Sequence, residues 1–129
     1  MDKKPLNFNM NGAGTFYRNP LIPNAIYTDG CAYVADELNA HWLIDDILLY
    51  STTQESIKQL SFMTWALKKD GESSAALRAE DGNYKLLWKT DIPFTDFDFD
   101  RIPNQGLHIK GERITFFYEF GTLMLPEER

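Results

Sequence analysis

Phe62-Met63-Thr64-Trp65-Ala66-Leu67 is where the hydrophobic pattern of this chain changes character. Met63, Trp65 and Leu67 alternate with Phe62, Thr64 and Ala66, a period of two that only an extended strand presents to a core. The second set of positions is itself partly apolar, so both faces of the strand are expected to be at least half covered. Downstream the period stays at two. Ala75, Leu77 and Ala79 alternate with Arg78 and Glu80, and Asp81-Gly82-Asn83 supplies a hairpin turn because Gly and Asn tolerate positive φ. Tyr84, Leu86 and Trp88 answer on the returning strand. Leu107 and Ile109 lead to a turn at Gly111, and Ile114, Phe116, Tyr118 and Phe120 alternate strictly. Gly121 then turns the chain into Thr122-Leu123-Met124-Leu125, which Pro126 stops.

Upstream the period is helical. Thr28-Asp29-Gly30 offers an N-cap, and Cys31, Val34, Ala35 and Leu38 follow at helical spacing. A second stripe, Leu43, Ile44, Ile47 and Leu48, lies nearly opposite the first if one straight helix carries both. The pattern therefore predicts a break near Asn39, which could cap the second piece. The first residues, to about Asn24, are rich in Asn, Gly and Pro and read as an irregular lead-in anchored by Phe16 and Tyr17. The fold class expected is α+β: N-terminal helices packed on a C-terminal antiparallel sheet of about five or six strands. At 129 residues this is a single domain, spanning 1–129, able to bury a core without staples.

Composition narrows the setting. Nine Phe, six Tyr and three Trp are too many for a disordered chain. A lone cysteine, Cys31, cannot form an internal disulfide, which points to a reducing, cytoplasmic compartment. The basic pair Lys3-Lys4 has no apolar run after it, and the longest apolar stretch is interrupted by Asp45 and Asp46, so neither a signal peptide nor a membrane span is expected. The net charge is −6, and its distribution is uneven. Between Arg18 and Lys58 there is no Lys or Arg, while Asp29, Asp36, Glu37, Asp45, Asp46 and Glu55 are all acidic. Such a surface repels phosphate backbones, so direct nucleic-acid binding is not expected.

Candidate chemistry is sparse. In an extended chain, Asp96, Asp98 and Asp100 share one face opposite Phe97 and Phe99, and three carboxylates offer oxygen ligands to a divalent cation. The Gly and later Glu of a calcium loop are missing at the required spacing, so a solvated face is the simpler reading. His41 and Asp45 are four apart and would share a helix face, but a metal site needs a third ligand, and His108 is the only other histidine. Asp45 would be buried on a straight helix and exposed after a kink. Cys31 reads as a small buried hydrophobe, with no Lys or Arg within a dozen positions to activate it. Gly12-Ala13-Gly14 follows no strand and lacks the Lys-Ser/Thr ending of a phosphate loop. Trp42, Trp65 and Trp88 read as core. No metal site and no cofactor are expected.

Thr15-Phe16-Tyr17-Arg18-Asn19-Pro20-Leu21, Tyr27-Thr28-Asp29-Gly30 and Ala40-His41-Trp42-Leu43-Ile44-Asp45 nevertheless form a recognisable series. They are followed in order by Phe62-Met63-Thr64-Trp65, Asp81-Gly82-Asn83, Ile92-Pro93-Phe94-Thr95-Asp96-Phe97 and Leu123-Met124-Leu125-Pro126. The chain resembles an uncharacterised family of small single-domain bacterial and phage-borne proteins. Its longer acidic stretch from Asp98 to Gln105 departs from that pattern. The resemblance implies a single domain and an association with mobile elements, and carries no activity. Three functions stay open. One is a non-enzymatic accessory protein whose acidic helical surface binds a protein partner or a second copy. Another is a mobile-element inhibitor that mimics DNA charge. The last is a ligand binder or enzyme using Asp45, His41 or the Asp96–Asp100 run. The binding candidates are Thr28, Asp29, His41, Asp45, Thr95 and Asp96.

Overall fold

A computed structural model of the chain describes residues 5–8, 14–103, 105 and 111–129. Two short strands, β1 (Phe16–Tyr17) and β2 (Ile26–Thr28), precede two helices, α1 (Asp29–Glu37) and α2 (His41–Thr53). Then come β3 (Phe62–Lys69), β4 (Ala75–Glu80), β5 (Leu86–Ile92), β6 (Arg113–Glu119) and β7 (Thr122–Met124), with single 3₁₀ turns at Phe99–Arg101 and Pro126–Glu128. The architecture is α+β. The strands form one sheet in the order β1-β2-β7-β6-β3-β4-β5, antiparallel throughout except for the parallel pair β2–β7. Seven strands stand where five or six were expected. The excess comes from the lead-in: Phe16 and Tyr17 pair with Thr28 and Tyr27, giving that region a regular edge.

The period-two reading holds at the centre of the sheet. Trp65 lies opposite Phe116 and Ala79, and Leu67 opposite Ile114 and Leu77; all six are fully buried. The helices cover this face. Leu43, Ile44, Ile47 and Leu48 of α2 and Cys31, Val34 and Ala35 of α1 are buried in the same cluster. At about 1.5–3 kcal/mol per large apolar side chain fully removed from water, this face dominates the stability. Trp42 and Trp88 join it half-buried, and Trp88 lies 5.8 Å from Trp65 and 4.5 Å from Tyr50, ring centre to ring centre.

The helix breaks where the two stripes predicted. Asn39 adopts φ 52°, a left-handed turn that its short polar side chain tolerates better than most. It does not cap α2. Ala40 occupies that position and α2 has no side-chain cap, which is a correction to the expected role of Asn39. The other turns also use residues the pattern did not single out. In the Asp81-Gly82-Asn83 hairpin, positive φ falls on Tyr84 (66°), while the Asp81 carboxylate accepts from the backbone N–H groups of Asn83 and Lys85. Phe120, expected to continue the inward alternation of β6, instead has φ 49° and is 80% exposed, forming the tight turn with Gly121. The expected lead-in anchors Phe16 and Tyr17 are exposed; Leu6 and Phe8 are buried in their place, with Leu6 N–H donating to the Arg101 carbonyl. Leu107, His108 and Ile109 lie outside the described residues.

Candidate functional site

The binding candidates fall into three places. Thr28 is the N-cap of α1, its hydroxyl accepting from the Cys31 N–H at 3.3 Å as the sequence suggested. The same hydroxyl donates at 2.6 Å to the carboxylate of Glu128, which also accepts from the N–H groups of Gly30 (3.0 Å) and Leu125 (2.9 Å). A buried acid thus sits on the positive end of a helix, where its charge is best compensated. A Cβ at residue 30 would collide with that carboxylate, so Gly30 is required by close approach. Asp29 accepts from the Gly14 N–H at 3.3 Å. In this cluster Thr28 and Glu128 are buried and bonded to each other, whereas Asp29 Oδ1 is buried with no partner among the described residues. Cys31, beneath it, is fully buried, and burial pushes its thiol far above the range where a reactive thiolate forms.

His41 and Asp45 do not pair. His41 meets Asp36 at 2.8 Å, both side chains exposed, and Asp45 accepts from the Asn19 carboxamide at 3.1 Å. The break at Asn39 explains the first contact, because it folds the end of α1 back toward the start of α2. Asp45 and Asp36 instead act electrostatically on Tyr27. Burial first, and then the charges of these two carboxylates, raise the Tyr27 phenol above its ordinary value of 10.0. Tyr27 stacks on Tyr17 with ring centres 5.5 Å apart, and Phe16 and Leu21 are exposed in the same lead-in. The outcome is a tyrosine pair whose Tyr27 lies in a stretch free of Lys and Arg from Asn19 to Ile57, while Tyr17 is followed by the exposed Arg18. Sequence reasoning named Asp45 but missed Tyr17 and Tyr27, since their stacking depends on β1 pairing with β2.

Thr95 and Asp96 lie elsewhere. With Trp42, Ile92 and Phe94 they line an open cleft of about 300 Å³. The run Asp96–Asp100 is a loop entering the turn Phe99–Arg101 and not a strand. It keeps its two-sided character: Phe97 and Phe99 are buried against each other, ring centres 4.8 Å apart, while Asp96 and Asp100 are exposed. Among the described residues no cluster of three or more His, Cys, Asp or Glu is arranged to hold a metal ion. No helix among them is long and apolar enough to cross a membrane.

The face of the sheet away from the helices carries chemistry that the alternation did not reveal. Glu80 is buried and bonded to two guanidinium groups, Arg78 at 3.2 Å and Arg113 at 3.0 Å. Arg113 belongs to β6 and reaches Glu80 of β4 across β3, where Ala66 is small enough to leave room. Beside this network lies a groove of about 420 Å³ lined by Phe62, Thr64, Arg113, Thr115, Phe117 and Arg129, among others. The Arg129 guanidinium stands 5.0 Å from the centre of the Phe62 ring and 5.4 Å from that of Phe117. The Gln105 carboxamide donates to the Thr115 carbonyl (3.0 Å) and accepts from its N–H (2.8 Å), taking the place of the strand that β7 is too short to provide. The Thr115 hydroxyl and the Arg113 Nε have no partner among the described residues.

Comparisons with known proteins give a family and nothing beyond it. No curated protein and no solved structure matches the chain. The model of the family of unknown function DUF6876 matches residues 6–104, and the chain belongs to that family.

Proposed function

We propose that this is a non-enzymatic accessory protein that binds a protein partner through the tyrosine–carboxylate surface beside α1 and α2. The observation that carries the reading is the stacked Tyr17–Tyr27 pair, whose Tyr27 phenol feels the charges of Asp45 and Asp36, in a region where Arg18 is followed by no Lys or Arg from Asn19 to Ile57. Tyrosines give large, rigid contact area, and carboxylates beside aromatic faces suit Lys or Arg, so the complementary partner is a basic segment with apolar neighbours. A mobile-element inhibitor imitating DNA would use the same charges. However, Asp36, Glu37 and Asp45 are engaged with His41, Arg101 and Asn19, which favours one discrete basic segment over a row of free charges. The proposal sets the protein in a reducing, cytoplasmic environment, where the lone thiol of Cys31 stays free.

The test is a photo-cross-linking amino acid placed at Tyr17 and, as a control, at Lys85, in cells of the source organism. A discrete adduct from Tyr17 alone, lost when Asp36→Lys and Asp45→Lys are combined, is expected. Adducts that ignore the charge reversal, or arise equally from Lys85, overturn the reading. A second reading, a small-ligand binder, draws on the groove of the opposite sheet face and on the unpartnered Thr115 hydroxyl there. A fragment screen by ligand-observed NMR, with Arg113→Leu as the control, decides it. Hits that persist in that variant count against the groove.

A further inference from the structure

We propose that two copies of the protein associate through β5, edge to edge and antiparallel, about a two-fold axis at Thr90. The proposal is independent of the partner surface beside the helices, which lies at the other end of the strand order.

Among the described residues β5 closes the sheet and pairs only with β4. Its other edge is a row of backbone donors and acceptors seven residues long with no proline within it. Among the described residues no backbone hydrogen bond outside the β4 ladder reaches residues 86–92. After Pro93 the Thr95 N–H donates to the Ser73 carbonyl at 2.7 Å, which holds that segment beside its own sheet. The opposite edge of the sheet, β1, has only two residues and offers no comparable ladder.

The side chains favour a register centred on Thr90, which pairs the strand's own two opposite charges. Trp88, Thr90 and Ile92 face the helical side, opposite Ala79, Leu77 and Ala75; Lys89 and Asp91 face the other side, 3.2 Å apart. Centring the pair on Thr90 sets Lys89 opposite Asp91 of the second copy, and the symmetry repeats the contact. Centring on Lys89 or on Asp91 puts like charges face to face, as does a parallel alignment in register. The Thr90 register also places half-buried Trp88 opposite Ile92, joining the two apolar clusters, and brings exposed Leu86 toward exposed Phe94 at each end. A strand that needed to avoid pairing would carry an unbalanced charge; here Asp91 offsets the Lys89 that would otherwise guard the edge.

Sedimentation velocity across the micromolar range tests this, with circular dichroism melts to confirm that each exposed-site variant is folded. The wild type should show a concentration-dependent dimer. Lys89→Asp and Asp91→Lys alone should each weaken it by at least about tenfold, because each places like charges opposite one another twice. The double variant Lys89→Asp/Asp91→Lys should restore it, and mixing the two single variants should form the heterodimer. A wild type that stays monomeric throughout, or a dimer indifferent to the single changes, overturns the proposal.

Discussion

The two faces of the sheet are built on opposite principles. On the helical face, Leu67, Leu77, Ile114 and Phe116 are fully buried and make no demand beyond shape, and only the Trp65 indole N–H is left without a partner there among these strand residues. On the other face, Glu80 is also buried but holds two arginines, and the buried Thr115 hydroxyl has no partner among the described residues. The first arrangement stabilises through area removed from water, which varies smoothly with composition. The second is all or nothing, since each buried polar group is worth little when paired and costs much when left alone. A face of the first kind is suited to holding the fold. A face of the second kind, with a groove beside it, has its polar groups fixed in place and open to a demanding occupant.

The largest effect expected from breaking this contrast is on the helical face. Trp65→Ala should lose about 3–5 kcal/mol in denaturant melts, the cost of a large cavity beneath both helices. Glu80→Ala comes next, at about 3 kcal/mol, because it strands two partly buried guanidinium groups. If Glu80→Ala proved nearly neutral, the open face would be ordinary solvated surface and the contrast would dissolve. Thr115→Val sharpens it in the other direction. Removing a buried hydroxyl that has no partner among the described residues should raise stability by about 1 kcal/mol, whereas a loss would reveal a hydrogen bond that the hydroxyl does make.

The smallest effect lies in the helix layer, at two adjacent acids. Burial, and then the neighbouring Asp45 charge, raise the Asp46 carboxyl above its ordinary value of 3.8. The fold therefore prefers this group protonated: its contribution is present below the unfolded pKa and is lost as pH rises through the folded one. Asp46→Asn should stabilise by roughly a few tenths of a kcal/mol at neutral pH, and the gain should vanish in acid. Asp45→Asn should instead cost roughly half a kcal/mol, by weakening the bond from Asn19. Opposite signs from neighbouring carboxylates, read from melts at two pH values, are the expected outcome.

What could be read from the chain alone follows from the range of the interaction. The alternation in β3, β4 and β6 and the two helical stripes are local periods, so strands, helices and the break at Asn39 were legible. Where contacts span long separations, local pattern failed. Arg113 and Glu80 are 33 residues apart and Thr28 and Glu128 are 100 apart, and no periodicity marks such pairs. Phe16 and Tyr17 looked like core anchors because they are aromatic, yet pairing with β2 turns them outward at an edge. The candidate positions were legible at the same scale: Thr28 could be named as a cap, but the stacking of Tyr17 on Tyr27 could not.

The carboxylate that seats on α1 also bears on how the chain folds during synthesis. Helix α1 is among the first regular elements to leave the ribosome, yet the acid that satisfies the Thr28 hydroxyl and the Gly30 N–H arrives 98–100 residues later. β6, which completes the pairing of β3, comes late as well. At a synthesis rate of about 5–20 residues per second, α1 would wait several seconds with its N-terminus incompletely bonded. Closure of the fold is therefore a late event, made by the last turn upon the first helix, and a nascent chain halted short of that turn would display an unfinished helix to the cell's quality control.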